Sequence, residues 1–191
     1  MTTLAERGVG ILRHAGIALD PGLDEGEMAA AEHRYGIAVG DDHRALLSLA
    51  VPTGEGWVDW RHGDEAAIRR QLAWPLDGVV RELLNSDVWP GSWGPRPAVD
   101  DADLEVHARE HLARWHPLVP LYKHRYLPAA PAPVGSPVFS VWQLDVSLYG
   151  ADLVNYLTHE LHPATRHARP EPKYKYSPWS ELSRDTQGSD L

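Results

Sequence analysis

Leu118-Val-Pro-Leu-Tyr122-Lys-His-Arg-Tyr126-Leu127 is the stretch that decides the fold class. It is rich in Val, Leu and Tyr, and a second run of the same kind, Val138 to Tyr149, adds Phe and Trp. Aromatic and β-branched residues of this density read as strands, because such side chains pack well on a pleated surface. The Pro/Ala/Gly segment 128–137 reads as the loop between them, and Val146–Tyr149 as a third short strand. Alternation along the first strand places Tyr122, His124 and Tyr126 on one face. It places Lys123 and Arg125 on the other, toward solvent.

Upstream of this stretch the period is helical. Asp24 and Glu27 have the spacing of a capping box, with Leu23 and Met28 in the staple positions. Met28, Ala31 and Tyr35 follow on one face, and Gly36 stands where a left-handed residue ends a helix. A second helix is predicted from Asp41 or Asp42 to Val51, stopped by Pro52. Trp57-Val-Asp-Trp60 fits an aromatic strand or a turn. Residues 64–72 read as a short helix, and Pro75 as the first turn of another running to Asn85. Trp89 to Pro97 holds three prolines and two glycines, so it reads as a rigid loop. Asp100 or Asp101 caps a helix to Trp115. Downstream of the strands, Leu153, Val154, Leu157 and Leu161 form the stripe of a further helix. Residues 163–191 have few aliphatic side chains and are expected to be a disordered tail. The chain thus reads as one α+β domain over 1–162, with the helix in 1–19 the least defined, followed by a flexible tail over 163–191.

Composition narrows the function classes. With 191 residues and 43% hydrophobic content the chain can bury a full core without crosslinks. Cysteine is absent, which removes disulfide scaffolds, thiolate zinc sites and cysteine nucleophiles. The longest charge-free apolar run of the first half, Leu46–Val51 with Ser48 inside it, is far short of a membrane span. The N-terminus lacks the order of a signal peptide, so a soluble cytoplasmic protein is expected. The net charge is −9, and residues 1–111 carry ten basic against twenty acidic side chains. Such a body repels phosphate backbones and attracts a basic protein.

Few motifs carry chemistry. His107-Ala-Arg-Glu110-His111 matches the inverted zincin pattern, in which two histidines one turn apart bind zinc beside a glutamate base. Both histidines also sit on or beside the apolar stripe Leu104, Ala108, Leu112 and Trp115, where partial burial explains them equally well. Only Glu160 and His162 suggest themselves as further ligands. His159 and His162 fit the end of a helix, where positive charge opposes the dipole. Asp145 and Asp152 form a conceivable carboxylate pair, although Asp152 more simply caps a helix. No nucleophile elbow, phosphate loop or dinucleotide fingerprint occurs. The proline-stiffened loop with Trp89, Trp93 and Arg96, followed by Asp100, Asp101 and Asp103, has the composition of a protein-binding hot spot with an acidic rim. Folding of both indoles down onto the sheet is the alternative.

Taken in order, several segments resemble the SUKH superfamily of fungal cell-wall regulator-like and bacterial immunity proteins. These are Leu23 to Ile37, Asp42 to Leu47, Trp57-Val-Asp-Trp60-Arg61, Trp89-Pro-Gly-Ser-Trp93-Gly, Leu118 to Pro128, Ser136 to Gln143, and Tyr149-Gly-Ala-Asp152-Leu. The resemblance spans about residues 20–162. Gly40 departs from it, standing where a proline commonly precedes the second helix. The resemblance implies a single domain with a mixed, mostly antiparallel sheet flanked by helices, no enzyme activity and no cofactor. The function it implies is an immunity protein that neutralises a toxin domain by occlusion. Its partner would be a basic nuclease-type toxin rather than nucleic acid or membrane. A regulatory or scaffold protein with the tail as second contact, and a zinc hydrolase through His107, Glu110 and His111, are the alternatives.

Overall fold

The computed structural model describes residues 2–162 and 170–185. Its helices are α1 (Leu4–His14), α2 (Glu25–Tyr35), α3 (Asp41–Leu49), α4 (Glu65–Asn85), α5 (Asp101–Leu112), α6 (Leu153–Leu161) and α7 (Trp179–Asp185). Five of them open on the same local chemistry. Thr3, Asp24, Asp64, Asp100 and Asp152 each accept the amide three residues on, at 3.1, 2.8, 2.7, 3.0 and 2.7 Å. Each such cap stabilises its helix by about 1 kcal/mol. α2 has the full capping box and ends at Gly36 with φ 64°, as its sequence predicts. α3 follows Gly40 without a side-chain cap; its first amide, of Asp41, donates to the Ala132 carbonyl at 2.9 Å instead.

The strands are β1 (Leu19–Pro21), β2 (Ala50–Pro52), β3 (Leu118–Tyr122), β4 (Arg125–Pro128), β5 (Val138–Trp142) and β6 (Asp145–Gly150). β1 and β2 pair as a small ribbon, while β3 to β6 form a four-stranded meander in chain order. The class is α+β. Every pairing among the described strands is antiparallel, so the mixed character implied by the resemblance is not found.

The first expected strand is a hairpin, and the second and the short third at Val146–Tyr149 are the two arms of another. Tyr122 pairs with Arg125 and Trp142 with Asp145, leaving the two-residue turns Lys123-His124 and Gln143-Leu144. Lys123 and Gln143 hold positive φ, 48° and 57°, where such turns usually place Gly or Asn. The expected alternation fails at the turn. Tyr122 packs on one face of the sheet and Tyr126 on the other. Arg125, expected in solvent, is buried; it donates to Ser140 Oγ at 2.8 Å and Glu160 at 3.3 Å, and lies 3.6 Å above the Tyr149 ring.

Both faces of the meander are covered. Leu121, Leu127 and Val138 face α1, α3 and α6 through Val9, Leu12, Leu46, Leu153 and Leu157. Tyr126, Phe139, Val141 and Val146 face Trp74 of α4, Trp115 and Trp179. α4 is one 21-residue helix rather than two, with Pro75 buried inside it. A proline in mid-helix lacks the amide that closes onto the carbonyl four residues back. That carbonyl, of Gln71, accepts the buried Tyr126 hydroxyl at 3.1 Å, so the sheet supplies the missing donor.

The C-terminal segment departs from the expected disorder wherever it is described. Trp179 is 1% exposed and its indole N–H donates to the His116 carbonyl at 2.8 Å. Tyr176 shares a 2.7 Å hydrogen bond with Ser136, and Trp115 meets Trp179 edge-on at 4.8 Å. Three aromatics therefore do the anchoring that aliphatic residues usually do, since Tyr174 packs on the same cluster. Residues 163–169 and 186–191 of the expected tail lie outside the described residues.

Two expectations follow. Tyr126→Phe leaves the Gln71 carbonyl without a donor and lowers the unfolding free energy by about 1–2 kcal/mol in denaturant titrations. In a Pro75→Ala background the same change costs less than about half as much, because position 75 then has an amide; equal costs would refute the pairing. Trp179→Ala costs about 3–5 kcal/mol, as for other buried tryptophans, whereas a disordered tail would show no loss.

Candidate functional site

A groove of about 640 Å³ runs between the 56–64 loop, the first half of α4 and the tips of the two hairpins. This is within the range of ligand-binding clefts. Its lining is mostly apolar: Trp57, Val58, Ala67, Ile68, Trp74, Tyr126 and Trp142. Trp142 is 53% exposed and lies 5.2 Å from Trp74, whose buried indole N–H has no acceptor among the described residues. His124 closes one end, edge-on to Trp142 at 5.8 Å. Burial, and after it the neighbouring Arg125, lowers the His124 pKa below the usual histidine value.

Arg61 sets the loop wall. Its guanidinium donates to Glu27 Oε1 at 2.7 Å and Oε2 at 2.9 Å, and to the carbonyls of Pro21 at 2.8 Å and Gly22 at 2.7 Å. A planar fork of donors suits a carboxylate held side-on. Glu27 also accepts the Asp24 amide at 3.0 Å, so one carboxylate closes the α2 cap and ties down the loop. The Arg61 hydrogen bonds, and then that of the Asp24 amide, hold the Glu27 carboxyl down at about 2. On the far side the loop joins the first hairpin: the Lys123 amide donates to Gly56 at 2.8 Å, and Trp57 bridges to Tyr122. That bridge settles the alternatives for Trp57–Trp60; Trp60 lies in the turn beyond it and is buried. Across the groove Gly78 of α4 meets the Gln143 turn so closely that a Cβ there would stand 3.0 Å from the Gln143 backbone.

The residues singled out from sequence lie along α5, apart from this groove. Trp89 and Trp93 fold down, meeting edge-on at 5.2 Å, and join the cluster of Val79, Val80, Leu83 and Leu112. Trp93 stacks on His111 at 4.6 Å and 4°, and Arg96 covers Trp89 at 5.9 Å while donating to the carbonyls of Ser86 and Val88. Asp100 caps α5; Asp101 and Asp103 are exposed in its first turn. From Asp101 to His111 the helix rises roughly 15 Å, so the carboxylates and the indoles occupy opposite ends of one strip. Sequence reasoning missed what joins them. Asp103, Val106, His107 and Glu110, spaced i, i+3, i+4, i+7, are all exposed and make one outer ridge.

The zincin-like residues are spread apart in use. His107 Nδ1 lies 3.8 Å from Glu110, while His111 gives a ring face to Trp93. Glu160 is engaged by Arg125, His162 lies beside His14, and His159 Nδ1 contacts the Asn155 carbonyl at 2.9 Å. Among the described residues no three His, Asp or Glu side chains converge as a metal site. Asp152 caps α6 through the Asn155 amide at 2.7 Å, the simpler of its two expected roles. No helix among the described residues is long and apolar enough to cross a membrane.

The described residues thus form an α+β protein with a groove beside α4 and an exposed acidic ridge on α5. Comparison with family models, curated proteins and solved structures finds no match to this chain.

The Glu27–Arg61 pair predicts an acid dependence. Because the folded carboxyl lies near 2 against an ordinary 4.5, its contribution is complete above about pH 5 and is lost as pH falls toward about 2. Melting temperatures of Glu27→Gln should therefore fall less steeply than the parent's across that interval. Parallel curves would show that the pair does not couple to folding.

Proposed function

We propose that the chain is a non-catalytic binding module of the SUKH type, an immunity protein that neutralises a basic nuclease-type toxin domain by covering its substrate path. The observation that carries this reading is the α5 ridge. Asp103 and Glu110 stand exposed along it, with Asp101 exposed in the first turn on another side of the helix, and Arg109, the one Lys or Arg within α5, is tied to Glu105 and Asp77 at 2.7 and 2.9 Å. The acidic side chains therefore keep their field for a partner, and Val106, 55% exposed, offers an apolar contact among them. Behind the ridge, Val79, Val80 and Leu83 of α4 pack on Ala108 and Leu112, so docking orders little. The imbalance of ten basic to twenty acidic residues in 1–111 would speed encounter with a basic surface. Occlusion then requires no bond to be made or broken.

The test is co-purification with the product of an adjacent toxin-like reading frame. Asp101→Lys with Asp103→Lys should cut the association rate constant by about tenfold or more at low ionic strength and flatten its salt dependence. Trp93→Ala, which unsettles the loop end of the strip, should mainly speed dissociation. Binding that survives all of these changes would remove α5 as the interface, and turnover of a substrate by the pure chain would remove the reading altogether.

A further inference from the structure

The groove beside α4 differs from the α5 ridge in charge and in lining. Asp59 and Asp64 both line it, each with one carboxylate oxygen held by the backbone, so their charges offset those of the cations there. Asp59 accepts the amides of Arg61 and His62 at 3.0 and 2.9 Å, and Asp64 accepts that of Ala67 at 2.7 Å. Two cations line the same space, Arg70 and Lys123. None of the ion pairs among the described residues includes either of them. The Lys123 ammonium lies 5.0 Å over the Tyr122 ring and interacts most strongly with that tyrosine's side chain, with Glu55 and Glu160 acting on it at longer range. Between the cations the floor is Ile68, Trp74 and Trp142, the last an indole left more than half in water.

We propose that this groove is a second binding site, which takes a short acidic peptide segment carrying an aromatic or large aliphatic side chain. The carboxylates of the segment pair with Arg70 and Lys123, and its apolar side chain seats between Trp74 and Trp142, removing that surface from water. An indole beside the seat and an arginine at the rim are the residue types that dominate binding energy at such sites. The walls are fixed before binding, the loop by Arg61 and α4 by the Gln71–Tyr126 bond, so little order has to be created. A nucleic acid strand would also find stacking faces and cations here. However, a long polyanion meets the whole −9 field, whereas a short segment meets mainly the local charge. The site stands apart from the α5 ridge and does not depend on the immunity reading.

The experiment is selection of a random heptapeptide phage library on the full chain, with counter-selection on the Arg70→Glu/Lys123→Glu variant. A synthetic peptide of the selected consensus is then titrated by tryptophan fluorescence and by calorimetry. All three changed side chains, counting Trp142→Ala, line an open groove, and unchanged melting curves check that each variant folds. The expected consensus combines Asp or Glu with an aromatic or leucine. Its affinity should fall about tenfold or more in Arg70→Glu/Lys123→Glu and likewise in Trp142→Ala, and stay unchanged in Asp101→Lys/Asp103→Lys. Any of four results overturns the proposal: a basic or uncharged consensus, no enrichment over the counter-selecting variant, equal affinity in the groove variants, or tighter capture of a dodecathymidylate strand than of the peptide.

Discussion

Pro75 denies α4 one backbone amide, and the carbonyl this leaves at Gln71 is closed by a hydroxyl from the middle of the sheet rather than by water. A helix and a sheet are thereby joined through a group that neither could satisfy alone. The joint is reinforced on either side of Tyr126: Trp74 lies against Trp142, and Gly78 lets α4 rest on the Gln143 turn. Much else hangs on this seam. It sets one wall of the groove, and because α5 packs on α4 it also sets the direction in which the acidic ridge points.

Two surfaces of opposite character follow from that arrangement. The ridge on α5 acts at a distance, since exposed like charges add their fields until salt screens them. The groove acts at contact, since its cations are few and its lining is mostly indole, phenol and aliphatic carbon.

Much of the helical half was legible in the sequence. Asp24 with Glu27, Asp100 and Asp152 are local signals, and each capped its helix as read. What was not legible depended on contacts far along the chain. The first hairpin escaped notice because Lys123 holds a backbone angle usually given to glycine, so Leu118 to Leu127 looked continuous, whereas the second was read in part through the short strand at Val146–Tyr149. Pro75 looked like a helix start because nothing nearby in sequence announces Tyr126 as the compensating donor. Arg125 looked solvated until Glu160, 35 positions on, and Ser140 took its charge and donors. The loop was read as a hot spot presenting its indoles, yet Trp93 turns inward to stack on His111, which no spacing rule within the loop could show. The groove draws its lining from segments 56–64, 67–74 and 123–142, and no one of these carries a motif.

The placement of α7 bears on how the molecule is made. Phe139, Val141 and Val146 gain their cover from Trp179 and Tyr176, which the ribosome adds more than thirty codons after β5 has been synthesised. Until then that face is covered only in part, by Trp74 of α4 and by Trp115. Each face is thus finished late in translation, by α6 on one side and α7 on the other, after α1, α3 and α4 have already emerged.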